Sequence, residues 1–202
     1  HKLSTGDFVG CFGLTEPDFG SDPSSMRTTA IEDNNHFILN GNKTWISNSP
    51  IADVFVVWAK HDGKVKGFVL DRSMDGLSTP KIEGKLSLRT SVTGMINLDD
   101  VKVPKENMLN ISGMRGPFSC LNKARLGISF GVLGAAEYCI EKAIDYSLNR
   151  RMFDQLLAEK QLLQMKLANM STEYNLALLS CLHVADQVDK NEYTPDMISL
   201  VK

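Results

Sequence analysis

The apolar periodicity of this chain changes once, near Gly113 to Pro117, and that change limits the folds open to it. Before the junction, apolar residues come in short alternating runs, "HFILNGNKTWIS", "ADVFVVWA", "GFVLD" and "GMINLDDVKVPKENML", bounded by turn residues. Alternation sends successive side chains to opposite faces of a strand. Many short runs with regular turns therefore predict a β-sandwich or barrel over residues 1–112. The Asn40-Gly41 pair between two apolar runs predicts a hairpin, since both residues tolerate positive φ. Pro104 predicts a further turn.

Beyond Pro117, Leu121, Ala124, Ile128, Val132, Ala135, Cys139, Ala143 and Ile144 recur at three- and four-residue spacing. So do Leu162, Met165, Met170, Tyr174, Ala177, Cys181 and Val188. Both patterns predict amphipathic helices, so residues 113–202 read as part of an antiparallel helical bundle and the fold class as α+β. The pattern alone allows one helix from 117 to 189, a length rare enough to predict a break between Arg151 and Leu156. Thr194 as N-cap and Pro195 at the first helical position start a last helix that the chain leaves after about two turns. A helix that short needs partners. With no initiator Met, this predicts a piece of a longer protein, cut inside a helix.

Composition narrows the function classes. A net charge of -2 gives no general attraction for polyanions, and nucleic acid is not expected as a partner. No apolar run is long enough to span a bilayer, so no membrane insertion is expected. Cys11, Cys120, Cys139 and Cys181 are far apart and form no C-x-x-C pair, which argues against a zinc site or a disulfide framework. They read as reduced core residues of an intracellular protein. His1, His36, His61 and His183 do not cluster, so no metal site is expected.

Four stretches carry possible chemistry. In "LTEPDFGSD" an apolar strand runs into a turn of hydroxyls, carboxylates and glycine. Such a loop can hydrogen-bond a planar heteroaromatic ligand or a phosphate; equally it is a polar turn capped by Thr15 and Asp22. In "TWIS", Trp45 is either a core anchor or one wall of a slot for a flat ring, with Ser47 on the same strand face as a donor. In "FSCLNKAR", Arg125 either snorkels or meets an anionic or carbonyl group near the helix start. In "NRRMFDQLLAEKQ", Arg150 and Arg151 either grip a phosphate beside Phe153 or are helix-end charges.

In this order, these stretches resemble the acyl-CoA dehydrogenase family, its glutaryl-CoA branch in particular. "GCFGLTEPDFGSDPSSM", "NGNKTWISNSP", "FVVWA", "VTGMINLDDVKVPKENML" and "GPFSCLNKARLGISFGVLGAAEYC" carry the likeness, which covers essentially the whole chain. The resemblance implies the family's middle β domain and the start of its C-terminal helical domain. It implies FAD as cofactor, held by Phe12, Leu14, Thr15, Gly20, Ser21, Trp45, Ile46 and Ser47, with Glu16 and Pro17 fixing the turn. Leu14 and Thr15 would meet the flavin's pyrimidine edge and Ser47 its N5 edge.

An acyl-CoA substrate would lie along Ser21, Phe118, Leu121, Asn122 and Arg125. Arg150, Phe153 and Gln161 would reach the FAD of a neighbouring subunit in a homotetramer. The implied reaction is α,β-dehydrogenation of a CoA thioester, for glutaryl-CoA followed by decarboxylation to crotonyl-CoA in lysine and tryptophan catabolism. Electrons would pass to electron-transfer flavoprotein. The location would be the mitochondrial matrix in a eukaryote or the cytoplasm in a bacterium. The family's catalytic glutamate would lie beyond residue 202, so no catalytic residue is assigned. Asp154 and Leu156 depart from the family's usual Gly and Pro.

Overall fold

In the computed structural model, which describes residues 1–202, the chain forms two compact units, residues 1–118 and 119–202. The division falls inside one long helix rather than at the glycines that precede it.

The first unit opens with a single helical turn, α1 (Lys2–Thr5), and then builds eight strands. These are β1 (Gly10–Gly13), β2 (Thr29–Asp33), β3 (His36–Ser47), β4 (Val54–His61), β5 (Lys64–Asp71), β6 (Leu77–Ser78), β7 (Thr93–Pro104) and β8 (Met108–Ser112). The sheet order is β6-β7-β3-β2-β4-β5-β8, and β1 attaches to β4. The sheet is mixed: β1 and β2 run parallel to β4, while the other pairs are antiparallel. It curls over its own core. The rings of Phe37 on β3 and Phe68 on β5 meet edge to face at 5.2 Å, although β2 and β4 lie between them in the sheet. Leu39, Phe55, Val57, Ile96, Val101 and Val103 complete a fully buried interior. Each such side chain contributes about 1.5–3 kcal/mol by leaving water.

The Asn40-Gly41 pair does not turn the chain. The β2–β3 hairpin instead turns at Asn34-Asn35, between the paired Asp33 and His36, with Asn34 at φ 51°. Strand β3 runs straight through Asn40-Gly41, where its register with β7 shifts. Asn40 donates from its amide to Asp100 Oδ1 at 2.8 Å and accepts the Asp100 backbone N–H at 2.8 Å. Gly41 has φ 146°, and a Cβ there would sit 2.7 Å from the Thr28 Cα. The extra residue lies on β7, where Asp99 and Asp100, the latter at φ 52°, face the single residue Asn40, so the dipeptide that favours a tight turn serves here as the partner of a bulge and as a close approach to Thr28.

The second unit contains the rest of α2 (Arg115–Asn149), then β9 (Arg151–Met152) and β10 (Gln155–Leu156), a 3-10 turn at Leu157–Glu159, α3 (Gln161–Asp189) and α4 (Pro195–Val201). The helical break thus falls where expected. Cys181, Val184 and Ile198 are buried. The expected apolar stripe of α2 is not its packed side, however. Ile128 and Val132 are more than half exposed, whereas Ser129 and Ser147 are buried, their hydroxyls bonded back to Arg125 O and Ala143 O. On α3, Leu162, Met165, Leu176, Leu179 and Leu182 are exposed as well. These helices are apolar on several sides, so periodicity does not tell which side packs within the unit. Cys120 and Cys139 are also exposed, contrary to the reading of all four cysteines as core residues; only Cys11 and Cys181 are buried. No helix is long and apolar enough to cross a membrane.

Gly41→Ala should lower stability by about 1–3 kcal/mol, because the added methyl group overpacks Thr28 in a backbone region that disfavours side chains. Urea denaturation monitored by circular dichroism would measure this; an unchanged midpoint would show that β3 and Thr28 move apart freely.

Candidate functional site

The polar loop after β1 is fastened from beneath by one buried ion pair. Glu16 leaves the strand end and turns inward, where every hydrogen bond it accepts is identifiable. Its Oε2 accepts the Arg27 N–H at 2.7 Å, and its Oε1 accepts the Thr28 N–H at 2.9 Å and the Thr28 hydroxyl at 2.5 Å. The Lys43 ammonium, from β3, reaches the same Oε1 at 2.9 Å. It also donates to the Leu14 carbonyl at 3.2 Å and touches Met26 Sδ at 3.8 Å. Lys43 is fully buried, and Glu16 is nearly so. Burial alone would push the Glu16 carboxyl up, but the Arg27 N–H, Thr28 and Lys43 together hold it below its ordinary value. Burial also draws the Lys43 ammonium below its ordinary value, against the pull of Glu16.

A second tie runs beside the first. The Thr44 N–H donates to the Thr15 carbonyl at 2.9 Å, which brings Leu14-Thr15 against the strand segment that carries Trp45 and Ser47. Side chains on β3 alternate inward at Phe37, Leu39 and Lys43, and on that rhythm Trp45 and Ser47 would point into the core. A second register shift, between Lys43 and Ile46, reverses the sides. Thr44 and Ile46 turn inward, and Trp45, at φ 59°, and Ser47 turn out. Trp45 is 61% exposed. Together with Ser47, Trp45 lines an open cleft whose other wall is the 84–93 segment. That segment is shaped by Lys85, whose ammonium donates to Leu88 O at 2.9 Å, Ser91 O at 2.6 Å and Thr93 Oγ1 at 2.8 Å. Leu86 and Leu88 stand exposed on it.

Of the residues expected around a flavin, the structure therefore brings Leu14, Thr15, Trp45 and Ser47 onto adjoining segments. Neither the Thr15 backbone N–H and hydroxyl nor the Ser47 hydroxyl bonds to any protein group. Free donors beside a flat, exposed indole suit the polar edges and apolar face of a planar heteroaromatic ring. Phe12 is half-buried, its ring 6.1 Å from that of Trp58. Gly20 and Ser21 are exposed on the same loop, and Asp22 accepts the Ser24 and Ser25 hydroxyls. The Ile46 side chain is buried in the core, which leaves only its backbone for a ligand; its carbonyl already accepts the Ser49 hydroxyl at 3.2 Å.

Phe118, Leu121, Asn122 and Arg125 are spaced to share one side of α2; Phe118 is exposed and the other three are half-buried. Arg150 and Gln161 are exposed at the ends of the segment that joins α2 to α3. Phe153, 88% exposed, and Asp154 form the two-residue turn between β9 and β10 at φ 53° and 61°. A turn with both central residues at positive φ favours Gly, Asn or Asp. Asp154 thus has a local backbone role, and Arg151 secures the turn by donating to its carbonyl at 3.0 Å.

Lys43 and Lys85 escaped the sequence reading. For Lys43 a signal existed: it falls in step with Phe37 and Leu39 on the inward side of β3. Lys85 has none, because its partners are two carbonyls of an irregular segment and the Thr93 hydroxyl.

Residues 11–101 match the acyl-CoA dehydrogenase middle domain, and residues 112–202 match the acyl-CoA dehydrogenase C-terminal domain. The chain belongs to the acyl-CoA dehydrogenase family. It is similar to the glutaryl-CoA dehydrogenase of Desulfococcus multivorans, 40% identical over 197 residues, 94% of this chain and 50% of that protein. A crystal structure of a glutaryl-CoA dehydrogenase from Mycobacterium smegmatis in complex with FADH2 is 45% identical and superposes with a TM-score of 0.96, over 99% of this chain and 52% of that one. Subunit CarC of the caffeyl-CoA reductase-Etf complex of Acetobacterium woodii is 33% identical over 207 residues, 99% of this chain and 55% of that protein. The chain spans about half the length of these curated relatives.

Glu16→Gln should destabilise the first unit by about 3–5 kcal/mol at neutral pH, since it leaves a buried ammonium without its counter-charge. The Glu16 contribution is present above the ordinary carboxyl value of 4.5 and fades as pH falls through the lowered folded value. The gap between wild type and variant should therefore narrow below about pH 4.5 in denaturation curves taken across pH; a constant gap would show that the carboxylate charge is not what matters. Asp154→Gly should raise stability by about 0.5–1 kcal/mol by relieving the left-handed backbone, and a lower thermal midpoint would refute that assignment.

Proposed function

We propose that the protein carrying this chain oxidises the Cα–Cβ bond of an acyl-CoA thioester with FAD as its cofactor. Glutaryl-CoA is the substrate we favour, with decarboxylation to crotonyl-CoA following and an electron-transfer flavoprotein taking the electrons. The observation that carries the reading is the paired presentation of free donors, at Thr15 and Ser47, beside the exposed face of Trp45 on clamped backbone. The likeness to two glutaryl-CoA dehydrogenases supports the substrate, and the likeness to a subunit of a reductase-Etf complex supports the partner.

FAD, when bound, accepts the two electrons and the hydride that leave the substrate. The chain's own residues bind and orient. Leu14 and Thr15 would hold one edge of the ring, Ser47 another, and Trp45 would cover a face. Ser21 would meet the thioester arm, and Phe118, Leu121, Asn122 and Arg125 would line the acyl-CoA path. Arg150, Phe153 and Gln161 are proposed to reach the FAD of a neighbouring subunit in a homotetramer. The broad apolar surfaces of α2 and α3 are consistent with further helices packing there. No residue of this chain is assigned as the base that removes the α-proton.

The test uses the protein expressed from its complete gene. It should purify with a flavin absorbance that glutaryl-CoA bleaches. Ser47→Ala should slow bleaching about tenfold, as expected if one hydrogen bond worth about 1.4 kcal/mol is lost in the transition state. Trp45→Ala should mainly release FAD on dilution, because it removes packing area. Bleaching at the wild-type rate in a fully loaded Ser47→Ala protein would remove Ser47 from the site, and a colourless wild-type protein would overturn the function.

A further inference from the structure

The buried ammonium of Lys43 sits behind one particular peptide group. Its Nζ donates to the Leu14 carbonyl at 3.2 Å, and the N–H of that same peptide group belongs to Thr15. The chain has no cis peptide bonds, so this C=O and N–H point in opposite directions. The carbonyl faces inward to the cation, and the N–H, which has no protein acceptor, faces away from it. The next carbonyl, that of Thr15, is also taken inward, by the Thr44 N–H at 2.9 Å. The loop thus shows acceptors to the core and a donor to the outside.

A lysine is not needed merely to fill this space. Replacing a buried ion pair by apolar side chains of similar volume is often neutral or stabilising. The charge arrangement is also asymmetric. The Glu16 carboxylate is spread over the Arg27 N–H, the Thr28 N–H, the Thr28 hydroxyl and Lys43. The ammonium has only Glu16, the Leu14 carbonyl and a weakly accepting thioether. A cation on a carbonyl oxygen polarises the whole peptide group and strengthens its N–H as a donor, and low local dielectric enlarges the effect.

Resting on the proposed function, we infer that Lys43 is a positioning and polarising residue: through the Leu14–Thr15 peptide group it strengthens the Thr15 N–H toward the bound flavin ring, so that the site holds reduced FAD more tightly than oxidised FAD. Lys43 touches neither cofactor nor substrate in this assignment; it acts through the peptide.

The test compares wild type, Lys43→Arg and the double variant Lys43→Met/Glu16→Gln, all in the protein expressed from its complete gene. The double variant removes both charges and leaves no ion unpaired. Its two-electron midpoint potential, measured by dye-equilibrated reductive titration, should fall by about 30 mV for each tenfold loss of preference for the reduced cofactor, and we expect at least tenfold. Lys43→Arg, which keeps a cation, should stay closer to wild type. A double variant with the wild-type potential would overturn the inference and leave Lys43 as a clamp on loop shape. If the double variant loses FAD on purification, its apoprotein is titrated separately with oxidised and with reduced FAD, since the ratio of the two affinities reports the same quantity. A reduced-FAD affinity that falls at least tenfold further supports the inference, and equal losses overturn it. Failure of the underlying function is distinguishable, because it shows in wild type as no FAD binding at all.

Discussion

The ion pair between Glu16 and Lys43 is the fixed point of the first unit. It joins the loop that leaves β1 to the middle of β3, and it does so with all of the charge out of water. Such a pair holds only where geometry is satisfied at every atom, since either charge left alone would be strongly unfavourable. Here the requirement is met from three directions: the backbone of Arg27 and Thr28, the Thr28 hydroxyl and the Leu14 carbonyl. The consequence is a rigid loop whose outer side is set by its inner side.

Strand β3 provides the other half of the site through two irregularities in its pairing with β7. Opposite the β7 bulge at Asp99-Asp100, Gly41 lets β3 pass Thr28 closely, and Thr28 is itself a ligand of Glu16. The bulge between Lys43 and Ile46 then exchanges the two faces, so that a lysine is buried and a tryptophan two residues later is exposed. With unbroken alternation Lys43 and Trp45 would share a face. One could not then be the buried clamp while the other is the open wall of a cleft.

Much of this was legible in the residues. The change of period near Gly113 to Pro117 separated a strand-rich part from a helical part, and the "LTEPDFGSD" and "TWIS" stretches marked the loop and strand that meet at the site. Asn40-Gly41 misled because a glycine serves a close backbone approach as well as a turn, and only the position of Thr28 and the β7 bulge at Asp100 tell the two apart. The stripe through Ile128 and Val132 misled because α2 has more apolar surface than this unit covers.

The residues alone carried the strand-rich and helical character of the two parts, the break between the two long helices, and the family resemblance that the matches to both domains bear out. Tertiary structure alone decided which charged residue is buried, which face Trp45 takes and which peptide group lies against the Lys43 ammonium. These depend on contacts between residues distant in the chain, such as Lys43 with Leu14 and Gly41 with Thr28. Local preferences cannot encode them, because a one-residue shift in register sends every following side chain to the opposite face.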